Sequence, residues 1–125
     1  MYDGLHVGTT EQIVGAAIEV HRHLGPGLLE SIYESALVVE LELRGLKFDR
    51  QVGIPIFYKG HLLSEHRPDL IVNDEVIVEI KSVKSLDPIY VAQVLTYLRV
   101  TGKRIGLLLN FNSVVLKNGI RRVAL

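Results

Sequence analysis

Two short runs carry charged side chains of a kind that can do chemistry: Arg67-Pro68-Asp69-Leu70, and Glu79-Ile80-Lys81 a little further along. Glu79 and Lys81 interrupt the apolar run Val76-Ile77-Val78. In a strand, where side chains alternate, both project from one face while Val78 and Ile80 project from the other. A carboxylate on a covered face costs several kcal/mol unless a cation or hydrogen bonds compensate. These residues must therefore share a partner, open onto a cleft or pair with each other. Whether Asp69 joins them depends on the turn between the two runs. If Asn73-Asp74-Glu75 is a three-residue loop, Val72 opposes Val76 and Asp69 opposes Glu79, with both carboxylates on one face about 5 Å apart at Cβ. A two-residue loop pairs Asp69 with Val78 instead and dissolves the site. With the odd loop, two hard oxygen ligands and an ammonium group converge. Such a set suits Mg2+ or Mn2+, which keeps several waters and bridges to phosphate, while the lysine orients or deprotonates a water. That chemistry is phosphodiester hydrolysis.

The elements that must position these groups follow from periodicity. Thr9 and Gln12 stand at capping-box spacing, and apolar residues at helical intervals predict a first helix over about Thr10 to His23, stopped by Gly25 and Pro26. A second amphipathic segment runs through Leu29, Ile32, Tyr33, Leu37 and Leu41 to a left-handed cap at Gly45. From Phe48 to Tyr58 apolar residues alternate, predicting a strand near an edge because of Pro55. A turn at Lys59-Gly60, a strand over His61 to Val72 and a third over Val76 to Val83 complete a predicted meander. Asp87-Pro88 starts a third helix that ends at Gly102. Arg104 to Phe111 is apolar at nearly every position, as expected of a strand covered on both faces. A final hairpin is predicted from Val114 to Lys117 and Ile120 to Ala124 around Asn118-Gly119. The order is α-α-β-β-β-α-β-β.

Composition narrows the classes. The chain has 125 residues, expected to form one domain over residues 1–125, and 14 Lys plus Arg balance 14 Asp plus Glu. That balance excludes a strongly basic nucleic-acid wrapper, so a polyanion must meet a local patch. A hydrophobic fraction of 48% with 22% charged residues is that of a chain able to bury a core. No stretch reaches the ~20 apolar residues that span a bilayer, so no membrane is expected as a partner. Met1 to Thr10 lack the character of a secretory signal. The absence of cysteine removes disulfides and thiolate metal sites and fits a cytoplasmic protein. The histidines give no zinc spacing: His21 and His23 diverge on a helix, while His61 and His66 point oppositely on a strand. His66 is expected on the face away from Asp69 unless a bulge at Pro68 resets the alternation.

Pro68-Asp69, Glu79-x-Lys81 and the αβββαβ order resemble the PD-(D/E)XK nuclease superfamily. Gly27-Leu28-Leu29-Glu30-Ser31-Ile32-Tyr33 is similar to the signature of the small GxxExxY family within it, and the similarity runs from about Glu11 to the C-terminus. The resemblance implies an α/β, restriction-endonuclease-like core with an extra N-terminal helix and a C-terminal hairpin. It implies that Asp69 and Glu79 bind Mg2+ or Mn2+, that the Ile80 carbonyl completes the protein ligands, and that Lys81 serves the attacking water. Glu30 would approach the same metal. Gln93 and Tyr97, at the i, i+4 spacing of the Q-x-x-x-Y motif, would support the site or touch nucleic acid. The expected partner is nucleic acid, DNA before RNA, with a homodimer as a further expectation.

Each residue also has a plain structural reading. Glu79 and Lys81 could form an ion pair at a strand end. Glu30 could be a first-turn carboxylate favoured by the helix dipole, Gln93 a local hydrogen-bonding group and Tyr97 a core residue. The rival function is a catalytically silent nuclease-fold module that binds nucleic acid or protein. Arg99, Lys103 and Arg104, with Lys117, Arg121 and Arg122, are the expected phosphate contacts near the site. Eight aromatic residues are too few for a base-stacking platform.

Overall fold

The computed structural model describes residues 4–125; Met1 to Asp3, on which part of the signal-segment reading falls, lie outside the described residues. The chain folds from three helices and seven strands among these residues. Helix α1 (Val7–Leu24) buries Thr10, Ile13, Ala16, Ala17 and Val20, a stripe at intervals of three and four that gives the helix its inward face. It starts three residues earlier than predicted and without a capping box. Thr9 instead donates its hydroxyl to Glu75 Oε2 (2.8 Å), tying α1 to a distant turn. Helix α2 (Glu30–Leu43) buries Tyr33, Leu37, Val38 and Leu41 and is followed by Gly45 at φ 71°, as the left-handed cap predicts. Helix α3 (Pro88–Thr101) opens with Asp87 accepting from the Ile89 N–H and ends at Gly102, φ 74°.

The two long predicted strands are each broken. Phe48 to Tyr58 splits into β1 (Phe48–Arg50) and β2 (Ile54–Tyr58), and His61 to Val72 into β3 (His61–His66) and β4 (Leu70–Val72). Pairing with β5 (Val76–Lys81), β6 (Ile105–Asn110) and β7 (Ile120–Ala124), β1 and β4 build a five-stranded sheet of order β1-β4-β5-β6-β7, while β2 and β3 form a separate hairpin. The meander is therefore β1-β4-β5, with the β2-β3 hairpin inserted between its first two strands. Only β5 and β6 run parallel, joined by α3; the remaining neighbours are antiparallel.

The predicted C-terminal pairing also changes partner. Val114 to Lys117 do not form a strand; a short 3-10 turn over Leu116–Gly119 precedes β7, which pairs with β6. Strand β6 is buried at all six positions and offers β7 a longer, apolar neighbour than the exposed Val114 and Val115.

The sheet separates two apolar layers. On one side Leu70, Val72, Val76, Val78, Ile80, Leu107 and Leu109 pack under α1 and α2, where Tyr33 stacks on Phe111 at 4.6 Å. On the other side Ile71, Ile77 and Leu108 meet Val94, Tyr97 and Leu98 of α3, with Ile54 and Ile56 of the hairpin completing the cover. Gly106 lets α3 approach: a Cβ there would fall 2.5 Å from Val94 Cγ1. Asp69, Glu79 and Lys81 sit on this second side by alternation, beside α3 and the hairpin root.

Candidate active site

The turn decides the register. Val72 pairs with Val76, Ile71 with Ile77 and Leu70 with Val78, leaving three residues in the loop, where Asn73 and Asp74 take φ of 53° and 56°. Asn and Asp tolerate this left-handed region better than most side chains. The next residues outward are Asp69 and Glu79. Here the ladder gives way to side chains: the Asp69 N–H donates to Glu79 Oε1 (3.0 Å) and the Ile80 N–H donates to Asp69 Oδ2 (2.7 Å). The strands part at this point, and each carboxylate takes up a main-chain donor that the other strand no longer satisfies.

The two carboxylates are held in a disfavoured state. Glu79, only 5% exposed, is pushed from 4.5 up to about 7, first by burial and then by the Asp69 charge. Asp69 rises from 3.8 to about 6, chiefly through burial and then through Glu34, against the opposing Ile80 hydrogen bond. Lys81 Nζ lies 3.8 Å from Glu79 Oε2 and 4.8 Å from the centroid of the Tyr90 ring, a cation–π contact that holds the ammonium at the site. Tyr97 is buried one turn of α3 beyond Gln93, and its hydroxyl is pushed up to about 12 by burial, then by Glu79 and Asp69.

Glu30 stands at the rim. Its Oε1 accepts from the Ser82 N–H (3.3 Å), just past the end of β5, and Ser82 Oγ donates to the Leu28 carbonyl (2.6 Å). The loop that delivers it is fixed by Tyr33, whose hydroxyl donates to the Gly25 carbonyl (2.5 Å) and accepts from the Leu28 N–H (3.1 Å). Gly27, at φ 99°, occupies backbone space that a side chain would strain. The glycine, glutamate and tyrosine of the G-x-x-E-x-x-Y run thus have distinct physical roles: bend, carboxylate and anchor.

Gln93 does not reach the carboxylates through any hydrogen bond among the described residues; it lines an open groove along α3 with Ile89, Tyr90, Ala92 and Thr96. Two of the expected phosphate contacts stand away from the carboxylates, whereas Arg121 lies on the sheet rung of Leu108 and Glu79. Lys103 donates to Asp74 and Arg104 to the Leu125 carbonyl, at the end of the sheet where Ile105 pairs with Val76. Glu79 and Lys81 lie toward the other end of β5, about 10 and 16 Å from Val76 at strand rise. Lys81 lies beside Glu79, Arg50 pairs with Glu34, and Arg67 bonds the carbonyl of Gln51 next to Asp69.

Three further residues join the site without having been singled out in the sequence, and His66 joins them through the break at Pro68. Glu34 is paired with Arg50 at 2.8 Å and raises Asp69; its i, i+4 spacing from Glu30 on one helix face was the available signal. Gln51 donates to both Glu34 Oε1 and Asp69 Oδ1, and Tyr90 covers Lys81. His66, expected on the far face, packs its ring against Tyr97 at 6.2 Å. The correction has a simple cause: β3 ends at His66, and the bend through Arg67 to Asp69 resets the alternation. Pro68 is the sequence signal for this break.

A divalent cation fits this donor set. Glu30, Glu34, Asp69 and Glu79 outnumber Lys81, Arg50 and Arg67, and the Asp69 charge raises the Glu79 carboxyl. Among the described residues no three His, Cys, Asp or Glu side chains gather closely enough to hold an ion alone. A pair of carboxylates with main-chain oxygen and retained waters is the sparse, hard coordination that Mg2+ accepts.

The structure brings a pair of opposed carboxylates and a lysine together at the end of the central antiparallel strands, on a mixed α and β fold of the restriction-endonuclease-like kind. The chain belongs to the PD-(D/E)XK nuclease superfamily, whose family model matches residues 8–123. No match was found among curated proteins or among solved structures. Membership points to nuclease activity, to nucleic-acid binding and to the divalent-metal dependence general in the superfamily. No helix among the described residues is long and apolar enough to cross a membrane.

Proposed function

We propose that this chain is a GxxExxY-type nuclease that hydrolyses phosphodiester bonds of DNA, or less readily RNA, with Mg2+ or Mn2+. The observation that carries this reading is the opposition of Asp69 and Glu79 beside Lys81. Asp69, Glu79 and the Ile80 carbonyl would hold the ion, which when bound supplies charge neutralisation at the phosphate and a more acidic water. Lys81, kept in place by Glu79 and Tyr90, orients the attacking water and offsets developing negative charge. Glu30 at the rim aligns a water from the α2 side. Tyr97 lies within the field of the two carboxylates, and Gln93 lines the groove along α3, where a nucleic-acid strand has room. Purified protein should nick single- or double-stranded DNA with Mg2+ or Mn2+ and not with EDTA. Asp69→Ala and Lys81→Ala should each reduce cleavage at least a hundredfold; cleavage surviving both changes would refute the assignment.

A second reading draws on one specific feature. Asp69 Oδ2 is already engaged by the Ile80 N–H, which suits a silent module whose carboxylates serve the fold. Titration calorimetry with Mn2+ separates the two readings, since a silent module shows no binding at millimolar ion and an equal grip on nucleic acid after Asp69→Ala.

A further inference from the structure

Gln51 occupies an unusual place. Its backbone takes φ 52°, a left-handed conformation that costs a non-glycine residue about 1 kcal/mol. Asn73 and Asp74 take similar angles within a strand-connecting loop, and Lys59 does so in the turn before Gly60, but Gln51 stands in the break between β1 and β2. What holds it there is a ring of contacts to the site. Its N–H donates to the Asp69 carbonyl (3.1 Å), and the Gln51 carbonyl accepts from Arg67 Nη1 (3.0 Å). Its side-chain amide nitrogen donates to Glu34 Oε1 (3.1 Å) and to Asp69 Oδ1 (3.3 Å). One NH2 group has two protons, and here they serve two carboxylates from different elements, α2 and the strand end before β4.

From this geometry we infer that Gln51 is a positioning residue: its carboxamide bridges Glu34 and Asp69 and fixes the Asp69 carboxylate in the orientation needed to receive the metal ion. The inference rests on the nuclease reading for its purpose but not for its geometry. Asp69 Oδ2 is set by the Ile80 N–H and Oδ1 by the Gln51 amide, so the plane of the carboxylate is fixed at both ends. Glu34 and Asp69 also approach each other directly, and the Gln51 amide is the donor that both carboxyls accept from. Outer hydrogen bonds of this kind orient metal ligands, and their loss typically lowers affinity 10- to 100-fold. The break after β1 thereby gains a reason: a continuous strand from Phe48 to Tyr58 would carry residue 51 past Asp69 in extended conformation.

Gln51→Gly is the informative variant, because glycine is at ease at this φ and the change removes the amide without adding strain. Calorimetric titration should show the Mn2+ dissociation constant raised 10- to 100-fold, with the thermal midpoint in EDTA moved by only a few degrees. Gln51→Asn, which keeps an amide on a shorter arm, should lose affinity likewise. A metal-free measurement runs beside these: a cycle of Gln51→Gly, Asp69→Ala and the double variant in EDTA should give midpoint shifts that fail to add by about 3 °C or more. Unchanged Mn2+ affinity in Gln51→Gly, or additive shifts in the cycle, would overturn the inference. If the wild-type protein binds no Mn2+ at all, the metal reading falls and the cycle alone decides whether Gln51 grips Asp69.

Discussion

Replacing Glu79 by Gln should make the metal-free protein more stable above neutral pH while destroying its function. The folded protein raises the Glu79 carboxyl from 4.5 to about 7, so between those values the folded state holds a proton that the unfolded chain has released. Stability therefore falls as pH climbs through this window. At about 1.4 kcal/mol per pH unit, the ionised carboxylate destabilises the fold by roughly 3 kcal/mol at pH 8, and by under about 1 kcal/mol at pH 5. Gln retains an oxygen for the Asp69 N–H that Glu79 Oε1 now accepts at 3.0 Å and carries no charge to bury. For a chain of 125 residues, ~3 kcal/mol corresponds to a midpoint shift of about 10 °C. Differential scanning calorimetry in EDTA should thus show Glu79→Gln melting about 10 °C above wild type at pH 8, with the gap nearly closed at pH 5. Adding Mg2+ should raise the wild-type midpoint and leave the variant unmoved. A variant less stable than wild type at pH 8, or a gap independent of pH, would refute the claim that burial and the Asp69 charge hold this group in a disfavoured state.

Other substitutions test neighbouring links. Lys81→Ala should abolish cleavage while leaving Mn2+ affinity within a few-fold of wild type in calorimetry, because the lysine serves the water rather than the ion. Tyr33→Phe removes the hydroxyl that joins Gly25 to Leu28 and should cost about 1–2 kcal/mol in urea unfolding, with a larger fall in activity as Glu30 loses its fixed loop. Gly106→Ala places a methyl against the stiff Val94 side chain and should destabilise by about 1–3 kcal/mol through overpacking, read as a lower urea midpoint at unchanged slope.

Much of this site was legible because strand alternation and loop parity are discrete. Once Asn73, Asp74 and Glu75 were counted as a three-residue turn, the opposition of Asp69 to Glu79 followed, and the observed pairs from Val72–Val76 outward keep that register. The helix ends at Gly45 and Gly102 and the cap at Asp87 were similarly local decisions. What escaped was any feature requiring a break in a continuous apolar pattern. Phe48, Val52, Ile54, Ile56 and Tyr58 keep one alternate phase across the run, and that phase hid the break at Gln51 to Gly53 and the departure of β2 into its own hairpin. The side that His66 faces turned on a break of the same kind, at Pro68, where the bend from Arg67 to Asp69 resets the alternation. The placement of Lys103 and Arg104 away from the carboxylates depended on the direction of α3 relative to β5, which runs the C-terminal end of the helix back to the start of β6. Thr9 shows how a local signal can yield to a tertiary one: its hydroxyl, spaced for a cap, is taken by Glu75.

The most direct test is a crystal of the protein soaked in Mn2+ and measured at the manganese absorption edge. The account predicts one anomalous peak at coordinating distance from both the Asp69 and Glu79 carboxylates and close to the Ile80 carbonyl. A well-ordered site with those side chains as they stand here and no peak between them, or a peak bound by other residues, would contradict it.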